Sequence, residues 1–211
     1  MYADDALLFL TDPLLSLLIL LSELNSFHKL SGLFINTNKC SALPINIPPN
    51  LLSSLQNNFC FKWSTTSFKY LGVHITSSHK LLYNANYLPL FSQIRSLLSS
   101  WFSYHISFLG RICAFKMTIL PKLLFYFRAL PINVPKSRID ALQREINKFI
   151  WYNKKPRCSY ILMYESQPKG GLGLPHLWAY FLAARLTHIV QWHASDPNIP
   201  CLNLNPLRSP H

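Results

Sequence analysis

Acidic residues are scarce in this sequence, and charges of either sign are few. Only 13% of the 211 residues are charged, with eight Asp or Glu against 20 Lys or Arg, so the formal net charge is +12. Half of the residues are hydrophobic, which excludes a disordered chain and allows a sizeable core. Four of the acids, Asp4, Asp5, Asp12 and Glu23, lie in the first 23 residues. The remaining chain is strongly basic, which indicates a polyanionic partner; an over-basic, poorly soluble fragment is the alternative.

The cysteine and glycine patterns exclude several kinds of site. The five cysteines are an odd number, are widely spaced and include no CxxC pair. This pattern favours reduced thiols in an intracellular protein over a disulfide framework or a zinc site. The glycines at 170, 171 and 173 lack the Lys-Ser/Thr ending of a phosphate-binding loop, so they indicate a sharp turn.

The apolar stretch 6–21 has the wrong flanks for a signal peptide and is interrupted too early for a membrane span. Its amino-terminal side is acidic, and Asp12-Pro13 breaks it. Asp12 instead predicts a helix N-cap, Pro13 the first helical residue and Gly32 the residue that ends the helix. We expect an intracellular protein, in the cytoplasm or nucleus, with no membrane association. The side chains predicted to face the core are Leu14, Leu17, Leu18, Leu21, Leu24 and Phe27.

Short strands are predicted on both sides of this helix. The apolar run 6–10 after the acid pair has the pattern of a strand, and 33–36 is a second one. Prolines make 41–50 a connector, because proline removes a hydrogen-bond donor and restricts the backbone. In 68–76 apolar and polar residues alternate except at Leu71-Gly72, a slip that suggests a bulge or a close backbone approach.

The second half of the sequence has helical periodicity. Amphipathic helices are predicted over 87–104, 110–130 and 137–151, with a kink at Pro121, and a last helix over 177–192. Successive helices with short links are typical of a small bundle. Residues 195–211 contain four prolines and no periodicity, so they are predicted to be an irregular tail.

Several motifs in order carry a family resemblance. YADD, a helix, SGLFINTNKC and FKYLGVHIT are followed by Trp101, FLGRICAFKMTILPKLLFYFRALPINVP, FIWYNKKPR and KGGLGLPHLWAYFLAARL. This series resembles the end of the palm, the thumb and the following segment of reverse transcriptases from LINE-type (non-LTR) retrotransposons. The resemblance implies an α+β fold: a partial antiparallel palm sheet with one packed helix, including the primer-grip hairpin, in 1–78, a mainly helical thumb bundle in 79–152, and a partial C-terminal segment with an irregular tail in 153–211.

The resemblance also implies a magnesium site at the start of the chain. In the family the two aspartates sit at the tip of a β-hairpin, so Asp4 would bind the two Mg²⁺ ions and Asp5 would contribute more weakly. Lys39 matches a turn lysine that would protonate or neutralise pyrophosphate. The residues alone leave open a solvated amino terminus for the acid pair and a solvated loop lysine for Lys39. The residues that would contact the incoming dNTP and the primer end are Tyr2, Ala3, Tyr70, Leu71 and Gly72.

The family palm uses two further parts that are expected upstream of the acid pair. These are a third aspartate on an earlier strand and the fingers, and neither precedes Met1. Half of a metal site binds Mg²⁺ weakly, because water supplies most of the remaining ligands. We therefore expect a truncated retrotransposon fragment that does not polymerise alone. A non-catalytic nucleic-acid-binding remnant and a functionless pseudogene product are the alternatives, and no protein partner is predicted.

Basic residues on the thumb-like helices predict binding to a duplex of RNA template and DNA primer. Phosphate contacts of this kind give affinity without sequence choice. In WYNKKPR, residues 151–157, aromatic side chains lie beside positive charges, as stacking and phosphate contact require. A helix end followed by a solvated basic turn is the alternative. The predicted binding residues are Arg95, Arg111, Lys116, Lys122, Arg128, Lys154, Lys155 and Arg157.

Overall fold

The computed structural model describes residues 5 to 193, apart from the side chains of 38, 188 and 191 to 193. It has a mixed α and β composition, 61% helical, with a few short strands in small sheets. The chain divides into two compact units, Met1–His79 and Lys80–His211. The predicted tail at 195–211 lies outside the described residues. Within 5–193, no helix is both long enough and apolar enough to span a bilayer.

The first unit is organised around helix α1, Pro13–Ser31, which begins and ends where its caps predict. The Asp12 side chain accepts a hydrogen bond from the backbone N–H of Leu15, at 3.5 Å, and Pro13 occupies the first turn. Gly32 adopts φ +73° and donates its N–H to the carbonyl of His28 at 2.8 Å. Because glycine enters this left-handed region without steric cost, the helix ends there.

The prediction that the leucine stripe of α1 faces a core is wrong for most of its length. Of the six predicted side chains only Leu17 is buried, whereas Leu14, Leu18 and Phe27 are exposed. The reason is the size of the partner: the first unit's core is a small cluster of Leu17, Leu55 and Phe59. It buries Leu17 and partly buries Leu21, whereas Leu14, Leu18 and Phe27 of the stripe remain exposed. The partly buried residues around this cluster are Leu20, Leu21, Ile47, Leu51, Phe61 and Trp63.

The strands of the first unit are short and differ from the predicted ones. Residues 6–11 and 32–36 form no strand. Instead β1, Ser41–Ala42, pairs in parallel with β2, Lys62–Trp63, so the predicted connector 41–50 contains a strand and the start of α2, Pro49–Asn58. Two-residue strands leave few alternating positions, and for this reason hydrophobic period did not reveal them.

The segment 68–76 forms an antiparallel hairpin. Strand β3, Ser67–Tyr70, pairs with β4, Val73–Thr76, and Tyr70 lies opposite Val73. The predicted slip at Leu71-Gly72 is the two-residue turn itself, since both residues have positive φ, 46° and 86°. This matches a type I′ turn, whose twist suits a hairpin. Leucine rarely adopts such a backbone, so the flanking strand pairs hold it there.

The second unit is a helical bundle. The predicted helices 137–151 and 177–192 are present as Lys136–Ile150 and Leu177–His193, which differ from the predicted bounds by a single residue at one end or both. The predicted helix 110–130 falls on two shorter helices and the turn between them. The first helix begins eight residues earlier than predicted, at the boundary between the units. The helices are α3, His79–Phe102; α4, Phe108–Ala114; α5, Leu120–Ala129; α6, Lys136–Ile150; α7, Tyr160–Tyr164; and α8, Leu177–His193.

A π-helical turn, Phe115–Ile119, joins α4 to α5 in one continuous helical run. The irregularity predicted at Pro121 therefore lies just before the proline. Because proline has no N–H to give to the carbonyl four residues earlier, the preceding turn is free to widen. The core of the bundle lies where α8 packs against α5 and α6, with the Phe127 and Phe181 rings edge to face, 5.2 Å apart.

Candidate nucleic-acid interface

The predicted magnesium site falls largely outside the described part of the chain. Tyr2, Ala3 and Asp4 precede it, and Asp5 is exposed. Within residues 5–193, no three His, Cys, Asp or Glu side chains are arranged to hold a metal ion. One of the two carboxylates of the acid pair, Asp4, precedes the described residues, so Mg²⁺ binding by this pair stays a prediction.

The other predicted active-site residues lie on two local structures of the first unit. Lys39 ends a single 3₁₀ turn, Thr37–Lys39, with its side chain exposed. Tyr70 is half-buried at the end of β3, and the exposed Leu71 and Gly72 form the hairpin turn. At this turn the exposed Leu71 side chain lies beside Gly72, and a glycine without a side chain allows a close approach by a ligand. Contacts of these residues with dNTP or primer stay predictions.

The second unit concentrates the positive charge of the protein. Residues 80–193 contain fifteen Lys and Arg against three acids, an excess of twelve. All three acids already form ion pairs: Glu145 with Arg95 at 2.9 Å, Asp140 with Lys136 at 2.7 Å, and Glu165 with Lys169 at 3.7 Å. Exposed pairs contribute little to stability. Their consequence here is electrostatic, because they place a positive charge beside each of these three acids while residues 80–193 keep an excess of twelve positive charges.

The predicted binding residues fall into two groups. In the first, the positive head faces other protein groups: Arg95 holds both carboxylate oxygens of Glu145, and Lys116 is half-buried with its Nζ against the backbone at Gly173. Arg111, also half-buried, belongs to this group because it donates to two backbone carbonyls. The second group has exposed side chains and consists of Lys122, Arg128, Lys154, Lys155 and Arg157.

The segment 151–157, which we call the basic turn, follows the end of α6. Its backbone reverses through Tyr152 and Asn153, which have φ of 51° and 58°. The Asn153 N–H donates to the carbonyl of Lys148 at 2.8 Å, and the Lys154 N–H donates to that of Trp151 at 2.9 Å. These bonds end the helix and project the three charges of Lys154, Lys155 and Arg157 into solvent, as the nucleic-acid prediction requires.

The aromatic residues of the basic turn point mainly into the protein. Trp151 is half-buried, with its ring 4.8 Å from that of Phe108. Tyr152 packs one side of its ring against Phe102, at 5.7 Å, and remains 46% exposed. Trp151 is therefore not placed for the expected stacking of bases, and the partly exposed Tyr152 ring already contacts Phe102.

Arg111 reaches this turn from α4. Its Nη1 donates to the carbonyls of Phe149 and Ile150, at 3.4 and 3.5 Å, and its guanidinium carbon lies 4.3 Å from the centre of the Tyr152 ring. The Nε atom is buried without an acceptor among the described residues. Sequence reasoning placed Arg111 on the binding surface, since a lone arginine in an amphipathic helix gives no signal of an inward role.

Two further polar residues fasten α8 to the bundle and were not predicted. The buried Gln143 of α6 accepts a hydrogen bond from the N–H of Leu177 at 2.8 Å. Arg185 donates to the carbonyls of Leu130 and Ile132 in the link between α5 and α6.

No protein-family model matches this chain. The resemblance to reverse transcriptases accordingly stays a prediction that rests on the order of the motifs.

Proposed function

We propose that this chain is a fragment of a retrotransposon reverse transcriptase whose helical unit, residues 80–193, binds the duplex of RNA template and DNA primer through phosphates. The observation that carries the binding proposal is the charge arrangement. Every acid of this unit is already paired, and the exposed cations outnumber them. The order of the palm and thumb motifs supports the family part of the proposal.

The exposed side chains favour binding without sequence preference. Lys154, Lys155 and Arg157 lie within four residues on one turn, so they can reach neighbouring phosphates of one strand. Side chains that contact phosphate position a protein on a duplex but do not read bases. A binding protein of this kind releases counterions, and its affinity falls steeply with salt.

The test is the salt dependence of duplex binding by the full chain. Fluorescence anisotropy of a labelled RNA–DNA duplex, from about 50 to 200 mM salt, gives the slope of log affinity against log salt. Changing Lys154, Lys155 and Arg157 together to Ala should reduce this slope by about 2 to 3, since each phosphate contact contributes about 0.9. A charge-matched variant in which three exposed lysines, Lys29, Lys62 and Lys80, become Ala should keep the wild-type slope.

An affinity that does not change with salt would refute the binding proposal. So would equal effects of the two triple variants, because total charge rather than the basic turn would then account for the binding.

The pseudogene alternative is favoured by one specific observation. The first unit exposes a large apolar surface, with Phe9 and Phe34 more than four-fifths accessible and Leu15 and Leu18 each 59% accessible. Apolar patches of this extent promote association. Size-exclusion chromatography distinguishes the two readings: a monomeric fraction that retains salt-dependent duplex binding supports the binding function, and aggregated protein without binding supports the alternative.

A further inference from the structure

We infer that Arg111 is a positioning residue that holds the basic turn in its binding conformation, an inference that rests on the proposed nucleic-acid function. The juxtaposition that carries it is the guanidinium between the last carbonyls of α6 and the ring of Tyr152, directly before the exposed cations. Arg111 itself does not contact the nucleic acid in this assignment.

The contacts of Arg111 fix both sides of the turn. The last carbonyls of a helix lack partners within the helix, and a cation there also interacts favourably with the helix dipole. Arg111 donates to two of these carbonyls, that of Ile150 and that of Phe149, which also accepts the Tyr152 N–H at 3.1 Å, and its guanidinium carbon lies 4.3 Å from the centre of the Tyr152 ring. Tyr152, the second residue beyond α6, is thereby contacted by Arg111 in addition to the ring of Phe102.

The backbone of the turn needs such support. Tyr152 and Asn153 adopt positive φ, which non-glycine residues rarely do unless the surroundings hold them there. If Tyr152 leaves the left-handed region, the direction of the chain changes before Lys154. The spacing of the exposed cations along a phosphate backbone therefore depends on a residue about 40 positions earlier in the sequence.

Lysine cannot perform this task, although it carries the same charge. An ammonium is a point charge, whereas the guanidinium offers several donors in one plane and stacks on an aromatic face. The substitution Arg111→Lys thus distinguishes a direct phosphate contact from a positioning role. A direct phosphate contact would survive this substitution nearly unchanged, but a positioning role would not.

The test uses the full chain and three variants. Arg111→Lys should weaken duplex binding and lower the salt slope by at least about 1, toward that of the variant lacking the three turn cations. In the background of that variant, Arg111→Lys should have no further effect, because coupled residues are not additive. Arg144→Lys is the matched control, since Arg144 is exposed and donates to the carbonyl of Asp140 in its own helix. It should bind as the wild type does.

Limited trypsin digestion gives a readout that does not require nucleic acid. Arg111→Lys should increase cleavage after Lys154 and Arg157 several-fold relative to Arg144→Lys, while circular dichroism reports that the helices remain. If Arg111→Lys fails to fold, Tyr152→Leu removes the stacking ring from a partly exposed position and should produce the same two effects.

The inference is overturned if Arg111→Lys has the affinity, salt slope and cleavage rate of the wild type. Where Arg111→Lys does not fold, the same result in Tyr152→Leu would overturn it. An equal loss of affinity in the presence and absence of the turn cations would also overturn it. If the wild type shows no salt-dependent binding, the proposed function fails, and the cleavage rates still show whether Arg111 orders the turn.

Discussion

The substitution Gln143→Leu tests whether α8 belongs to the same folding unit as the predicted thumb. Gln143 is 7% exposed, and its Oε1 accepts a hydrogen bond of 2.8 Å from the N–H of Leu177, the first residue of α8. The side-chain amide also donates to Asn147 at 3.2 Å. Since helix N-termini leave backbone N–H groups without partners inside the helix, Gln143 acts as a cap supplied by a residue 34 positions away.

The magnitude follows from the burial of this bond. Leucine has nearly the volume of glutamine, so no large cavity forms, and the main loss is the acceptor for a buried N–H. Leaving such a donor unsatisfied costs about 1 to 3 kcal/mol. For a chain of this size, each kcal/mol lowers Tm by about 2 to 4 °C. We expect a single cooperative transition at lower denaturant concentration, with the free energy of unfolding reduced by that amount.

The assay is urea denaturation followed by tryptophan fluorescence, together with hydrogen exchange at the Leu177 amide. Gln56→Leu is the matched control, because Gln56 is an exposed residue of α2 in the first unit. Exposed substitutions usually change stability by less than about 0.5 kcal/mol. If Gln143→Leu destabilises the protein no more than Gln56→Leu does, the cap is not energetically significant. A separate transition for α8 would show that 153–193 folds apart from the thumb, as the predicted boundary at 152 implies.

Three other predictions follow from the structure. Burial raises the pKa of the Tyr87 hydroxyl above its ordinary value, so the free energy of unfolding should hold below about pH 10 and fall above it by up to about 1.4 kcal/mol per pH unit. In urea denaturation at stepped pH, Tyr87→Phe should remove that fall. Parallel curves of stability against pH for the wild type and the variant would contradict this prediction. Gly171→Ala places a methyl group 2.1 Å from the Glu165 carbonyl oxygen and should lower the free energy of unfolding by about 2 to 3 kcal/mol. Gly32→Ala has open space around the new methyl group but a left-handed backbone, so it should lower that free energy by about 1 kcal/mol. Equal melting temperatures of the two variants would refute the argument. In primer extension with Mg²⁺ on a primed RNA template, the isolated chain should show no more DNA synthesis than an Asp4→Ala control. The reason is that two adjacent carboxylates supply too few ligands for the metal. Template-dependent synthesis above that of the control would refute the prediction.

Part of the site could be predicted from the sequence. Features that depend on composition or on neighbouring residues were predictable, whereas contacts made by distant parts of the chain were not. The charge excess of residues 80–193 and the exposure of Lys154, Lys155 and Arg157 follow from composition and from a turn after a periodic helix. The inward orientation of Arg111 does not, because it depends on carbonyls contributed by another helix. The pairing of all three acids likewise includes one contact across 50 residues, from Arg95 to Glu145.

Local rules in the sequence were sufficient to locate the ends of α1, α6 and α8, but not the start of α3 or the presence of α2. Asp12, Pro13 and Gly32 bound α1, and hydrophobic period with short links places α6 and α8 almost to the residue. Helix caps and hydrophobic periodicity act within one or two helical turns, so they can be recognised in the sequence without knowing the fold. Only the tertiary structure decided which apolar faces are covered and which cations face solvent. Burial and ion pairing depend on partners that distant parts of the chain supply, and neither spacing nor composition specifies them.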